Sequence, residues 1–154
     1  MRILDLIPAA GVIDALGSET KDGVLQELSE AICRALPGMS PDHLLSVLME
    51  RESLGSTGIG GGIAIPHGKM PGIDRLIVVF GRSLDGVQFA SLDGRPAHFF
   101  FLVVAPEDNS AGTHLKVLAR ISRLAKNERF RHRLVEAEGA EEIRRVFAEE
   151  DEPS

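Results

Sequence analysis

Residues 55–69 read GSTGIGGGIAIPHGK, and the reading of the chain turns on them. Five of the first eight positions are glycine, a short apolar alternation follows, and Pro66, His67 and Gly68 come next. Glycine accepts positive φ and lets the backbone approach a ligand closely. Successive free N–H groups in such a loop can line an anion-binding concavity. The run is not a Walker A loop: five residues rather than four stand between Gly62 and Gly68, and Met70 occupies the Ser/Thr position. It is not a dinucleotide fingerprint either, because Gly58-x-Gly60 is followed three residues later by Ile63. The plain alternative is a tight turn between a helix and a strand. Five glycines exceed what a turn needs, which favours close approach of the backbone to an anion or a partner.

Upstream, residues 11–16 suggest a short first strand. Ser18 or Thr20 can cap a helix to about Leu36, with Val24, Leu25, Leu28, Ile32, Ala35 and Leu36 at helical spacing. Pro37-Gly38 ends it. Ser40 caps a second helix with Pro41 at its first position, where a missing N–H costs nothing. Its inner side is Leu44, Leu45, Val47 and Leu48, and it ends near residues 51–54, delivering the chain into the glycines.

Downstream, residues 76–80 read as a buried strand, with Asp85-Gly86 turning the chain toward a short segment at 87–89. Residues 92–96 form another turn, and 97–105 a strand apolar on both faces. After a loop at 106–112, Thr113 caps a helix bearing Leu115, Leu118, Ile121, Leu124 and Ala125. Asn127 caps a second, with Phe130 and Leu134, and Gly139 precedes a third, with Ile143, Val146 and Phe147. The tail, 149–154, is acidic and expected to fray. The order predicts an α/β fold: one domain over 1–154, a mixed sheet flanked by helices on both faces.

Two histidines stand out. Pro66 restricts itself and Ile65, and Gly68 leaves space beside the His67 ring. An imidazole, neutral near its ordinary pKa of about 6.5, is a competent nucleophile at cell pH. The bland reading is a structural or merely exposed histidine. His114 sits at a helix start with Val117, Leu118 and Ile121 at i+3, i+4 and i+7, so it faces inward. A helix N-terminus presents free N–H groups and favours negative charge; the alternative is a histidine bonded to its own backbone. Together the two favour a shared site. Arg51, just before the glycines, is placed to contact phosphate oxygens or to complement the helix C-terminus. Ser56, Thr57, Gly58 and Gly68 are the further candidate phosphoryl-binding residues, with Glu52 a weaker supporting candidate. His43, His98 and His132 have no histidine four residues on, and there is no HExxH. A metal shared by His67 and His114 stays open, but nothing specifies its other ligands.

Composition bounds the rest. A chain of 154 residues, 44% hydrophobic and 26% charged, suits one soluble domain. Without Trp or Tyr, nucleobase stacking is poorly supported, and a net charge of −6 argues against nucleic-acid binding. Between positions 116 and 133 lie seven Lys/Arg and one acid; the solvated face of two helices is the plain reading, a partner-docking surface the other. Cys33 is alone, so no internal disulfide or CxxC motif exists, and it reads as a packing thiol. The N-terminus does not suit a signal peptide, and the longest apolar run, 99–106, falls far short of the ~20 residues that span a bilayer. A cytoplasmic protein without direct membrane insertion is expected.

At RESLGSTGIGGGIAIPHGK, VQFASLDGRPAHFFFLVVAP and AGTHLKVLARISRLAKNERFRHRL the chain resembles the IIA proteins of the bacterial phosphoenolpyruvate:sugar phosphotransferase system (PTS). The class is fructose/mannitol, which includes the nitrogen-regulatory IIA. The resemblance covers nearly the whole chain and implies a mixed sheet between helices. It implies a phosphocarrier in which His67 accepts phosphoryl from HPr or its nitrogen-branch homologue, His114 stabilises the phosphohistidine, and Arg51 matches the family arginine. The group then passes to a separate IIB protein in sugar uptake, or its presence regulates the binding of target proteins. No cofactor or metal is implied, and a monomer or weak dimer is expected. The alternative is a regulatory binding module whose glycine loop takes an anion or partner without histidine phosphorylation.

Overall fold

The computed structural model describes residues 2–108 and 112–151. Positions 109–111 of the expected 106–112 loop and 152–154 of the expected tail lie outside them. A 3₁₀ turn, Ile3–Leu6, precedes β1 (Val12–Ile13), α1 (Lys21–Ala35) and α2 (Pro41–Ser53). Then come β2 (Gly58–Gly60), β3 (Ile63–Ala64), β4 (His67–Met70), β5 (Ile77–Val87) and β6 (Ala97–Pro106). Three helices close the chain: α3 (Thr113–Ala125), α4 (Glu128–Glu136) and α5 (Ala140–Glu150).

The helices begin where short polar side chains take up orphan N–H groups. Thr20, Ser40 and Asn127 accept from the backbone N–H of Gly23, His43 and Phe130. At α3 the expected cap moves by one. Gly112, left-handed at φ 67°, takes the cap position and Thr113 is the first helical residue, because that entry needs a conformation glycine adopts without a Cβ penalty.

Among the described residues the strands form one mixed sheet in the order β1-β5-β6-β3-β2. β6 is its axis: antiparallel to β5, and parallel to β3 and β4, which lie one after the other along its other edge. Phe99, Phe101, Val103 and Ala105 face the core beneath α3, α4, α5 and the 3₁₀ turn. Phe100, Leu102 and Val104 face the core beneath α1 and α2. A strand covered on both faces must be apolar throughout, which is why β6 reads as it does. All seven phenylalanines are buried. Phe147 meets Phe80 and Phe130 edge-to-face, each at 5.3 Å between centroids, an arrangement the ring quadrupoles favour.

Three expectations need correction. Asp85-Gly86 does not end the strand in a turn: β5 continues to Val87 across a bulge, and Gly86 at φ 87° absorbs it. The glycine-rich run is not an open loop but the β2–β3 hairpin, turned by Gly60, Gly61 and Gly62 at φ 93°, 65° and 82°. Within the tail, 149–151 are tied down: α5 runs through Glu150, and Asp151 is buried, accepting from the Ile3 N–H at 2.7 Å and Arg120 Nε at 2.9 Å. The basic stretch supplies those ties. Arg133 reaches both Glu149 and Glu150, and Arg129 also reaches Glu150, so part of the stretch ties α3 and α4 to the C-terminal helix, while Lys116, Arg123, Lys126 and Arg129 stay exposed as a solvated face. Among the described residues no helix is long and apolar enough to cross a membrane.

Candidate functional site

β4 lies at the sheet edge, between α2 on one face and α3 on the other. The carbonyls of Pro66 and Met70 accept from Val103 and Glu107. In a parallel ladder the alternate residues, His67 and Lys69, therefore direct their backbone N–H groups away from β6. Their side chains share one face, opposite buried Met70. Gly68 faces α2, where a Cβ would lie 2.8 Å from Val47 Cγ1. Its glycine allows the helix bearing Arg51 to approach the strand bearing His67, a role beyond clearance for the imidazole.

His67 Nδ1 lies 2.7 Å from the Ile65 carbonyl oxygen. A carbonyl only accepts, so Nδ1 carries the proton and Nε2 of the neutral ring keeps its lone pair. Pro66, with no N–H to compete, sets the bend that brings that carbonyl under the ring. The ring is thus held in the tautomer a nucleophile needs, with Nε2 on the far side from the strand.

His67 opens into a cavity of about 410 Å³ shared with Arg51, Gly68, Lys69 and His114. His114, second residue of α3, is half-buried. Desolvation lowers its pKa from the ordinary 6.5, and the charges of Lys69 and then His67 lower it further, so it stands neutral at cell pH. A neutral imidazole can donate one hydrogen bond without opposing a neighbouring cation. Arg51 Nη1 donates to the Gly55 carbonyl at 2.9 Å, which anchors the guanidinium at the end of α2. Leu54 and Leu115, 82% and 62% exposed, form an apolar rim.

The structure therefore brings together His67, His114, Arg51 and Gly68, and leaves three candidates elsewhere. Ser56 Oγ donates to the Phe89 carbonyl at 2.6 Å and accepts from the Gly58 N–H at 3.0 Å. Thr57 gives both its N–H and its hydroxyl to the Glu52 carboxylate, which also pairs with Lys21 at 2.8 Å. None of the three lines the His67 cavity; they fasten the hairpin to α2 and to the segment after β5. The hairpin turn is occupied too: the Gly61 N–H donates to Asp93 Oδ2 at 2.9 Å and so cannot cradle an anion. Glycine and histidine, adjacent in sequence, part because β3 and β4 run along β6. Ile63 pairs with Phe99 and His67 with Val103, about 13 Å apart at ~3.3 Å per residue. Among the described residues no three His, Cys, Asp or Glu side chains converge as a metal centre would need. Lys69 was missed by sequence reasoning; its signal is the spacing of two from His67, visible once 67–70 is taken as a strand.

A sheet-edge histidine in a fixed tautomer, a neutral second histidine and two cations define a site suited to handling a phosphoryl group. The chain belongs to the family described as "Phosphoenolpyruvate-dependent sugar phosphotransferase system, EIIA 2", which matches residues 6–150. It is 38% identical over 148 residues to the nitrogen regulatory protein of Bradyrhizobium diazoefficiens, covering 96% of this chain and 95% of that one. It is 36% identical over 151 residues to the fructose-specific EIIABC component of Bacillus subtilis, covering 98% of this chain but 24% of that one. The crystal structure of the nitrogen regulatory protein IIA-Ntr from Neisseria meningitidis superposes with a TM-score of 0.86 at 30% identity, covering 94% and 98%.

Proposed function

We propose that the chain is a cytoplasmic phosphocarrier that takes a phosphoryl group on His67 Nε2 from HPr or its nitrogen-branch homologue. The observation that carries this reading is the bond from His67 Nδ1 to the Ile65 carbonyl. In the transfer, the Nε2 lone pair forms a bond to phosphorus as the donor's own phosphorus–nitrogen bond breaks and its pair returns to the donor. His67 keeps its Nδ1 proton on Ile65, so the positive ring opposes part of the phosphoryl charge. Arg51 and Lys69 stabilise the in-flight oxygens, and His114 donates to the bound group from the start of α3. Desolvation by the flanking helices strengthens each contact. The apolar rim of Leu54 and Leu115 supports docking of a protein donor on this face.

The phosphoryl group then moves to a IIB protein, or its presence sets which target protein the same rim binds. A match covering 95% of a nitrogen regulatory relative supports the regulatory branch. The test is intact mass after incubation with phosphoenolpyruvate, Enzyme I and HPr, for wild type and His67→Ala. A gain of about 80 Da, the mass of one phosphoryl group, acid-labile and missing in the variant, is the expected result. His114→Ala should still gain mass, more slowly or with shorter lifetime. Equal labelling of His67→Ala would overturn the assignment.

A further inference from the structure

A second cavity, about 380 Å³, lies toward the other end of β6 between the β2–β3 turn, the β5 bulge and α4. Its lining includes His98, five residues before the partner of His67 on that strand, roughly 17 Å along it. It is separate from the phosphoryl site, and no residue lines both.

Arg82 forms its floor. The residue is 6% exposed, yet it donates only to main-chain carbonyls: Nε to Asp14 at 2.8 Å, and Nη1 to Leu134 at 2.8 Å and Ala137 at 2.7 Å. Among the described residues it has no carboxylate partner, and its Nη2 donates to none of them. A buried cation held by carbonyls alone retains most of its charge, and an uncompensated buried charge is costly. Arg131, held by the Gly61 carbonyl, adds a second cation, and Glu128 is the one acid in the lining. The mouth is apolar: Leu84 and Val135 are 64% and 65% exposed above buried Phe99. The Gly61 N–H that would favour a phosphate is spent on Asp93.

We infer that this cavity binds a small carboxylate with an apolar body, its carboxylate on the free Nη2 edge of Arg82 and its hydrocarbon between Leu84 and Val135. With Nε and Nη1 spent on carbonyls, Nη2 is the edge left to donate a charge-assisted hydrogen bond to a carboxylate oxygen, and the volume lies in the range of small-molecule sites, about 300–1,000 Å³.

The test is a two-dimensional NMR titration of the unphosphorylated full chain with hexanoate, with hexanol as neutral match and inorganic phosphate as an anion lacking the apolar body. Saturable shifts at Gly61, Gly62, Leu84 and Val135 are expected with hexanoate. Hexanol should bind about tenfold more weakly or less, the ratio of one charge-assisted hydrogen bond, and phosphate should leave these signals in place. Val135→Glu puts a like charge at an exposed position of the mouth and should weaken hexanoate at least tenfold, while Val135→Gln should not. Arg82→Gln should abolish the response, but it also removes the carbonyl ties, so Val135→Glu carries the decision if that variant fails to fold. Equal affinity for hexanol, shifts centred on His67 and Leu115, shifts produced by phosphate, insensitivity to Val135→Glu, or no saturation with hexanoate would each overturn the inference. Phosphorylation is not read in this titration, so its result stands independently of the phosphocarrier proposal.

Discussion

Gly68→Ala tests the packing that assembles the His67 cavity. The residue is not among the positive-φ glycines, so the substitution adds a methyl group without backbone strain. That methyl would lie 2.8 Å from Val47 Cγ1 and 3.5 Å from Leu48 Cδ2. Carbon pairs prefer about 3.5–4.0 Å, so the first contact is short by ~0.7 Å or more. Val47 is on the helix that carries Arg51, and overpacking of this kind costs about 1–3 kcal/mol. For a chain of this size that lowers Tm by roughly 2–12 °C, at ~2–4 °C per kcal/mol. Urea unfolding of wild type, Gly68→Ala, Val47→Ala and the double variant forms a closed cycle. If the contact is the cause, Val47→Ala restores most of the loss, with a coupling energy of about 1 kcal/mol or more. The rate of phosphoryl acceptance should fall in Gly68→Ala and recover in the double variant, as α2 returns Arg51 to the cavity. A neutral Gly68→Ala, or additive single variants, would refute the claim that this glycine seats α2 on the strand.

Arg51→Gln should slow phosphoryl acceptance by about 10- to 100-fold, the loss of one charge-assisted contact of ~1.5–3 kcal/mol, measured in single-turnover transfer from phosphorylated HPr. Lys69→Gln should raise the His114 titration midpoint, followed by NMR, because a neighbouring positive charge opposes the imidazolium; the midpoint should stay below 6.5, since desolvation is the larger cause. The sign for stability follows. The depressed group contributes in full above its unfolded value and loses that contribution as pH falls through the folded one, and Lys69→Gln should narrow this window in acid unfolding curves. Asp151→Ala should destabilise the chain by about 1–3 kcal/mol, because the buried Ile3 N–H loses its acceptor and Arg120 Nε a carboxylate contact; urea unfolding measures it, and a neutral result would mean that the C-terminal tie is ornamental.

Much of the fold was legible because its causes are local. Thr20, Ser40 and Asn127 cap helices through a side-chain oxygen three residues from its N–H partner. The apolar run of β6 already implied cover on both faces. Two misreadings have a common source. Asp85-Gly86 carries turn chemistry, but pairing with β6 resumes at Val87 and Ala97, and long-range pairing made the expected turn a bulge within one strand. The acidic tail was expected to fray, but Asp151 meets Arg120 thirty-one residues away, a distance no local rule spans.

For the site the division is similar. The residues alone indicated that His67 is a candidate nucleophile, that His114 starts a helix and faces inward, and that Arg51 closes the preceding helix, because these follow from short-range geometry around proline, glycine and helix ends. Only the tertiary structure decided which of them meet. It set β3 and β4 in line along β6, which carried the glycine turn away from the imidazole. It turned Lys69 toward His114 and left Ser56, Thr57 and Gly58 as fastenings of the hairpin. It also buried Arg82, an ordinary strand residue by sequence, against carbonyls from β1's flank and the end of α4. Backbone propensities act over a few residues, whereas the partner that covers a side chain is chosen by burial of the whole sheet.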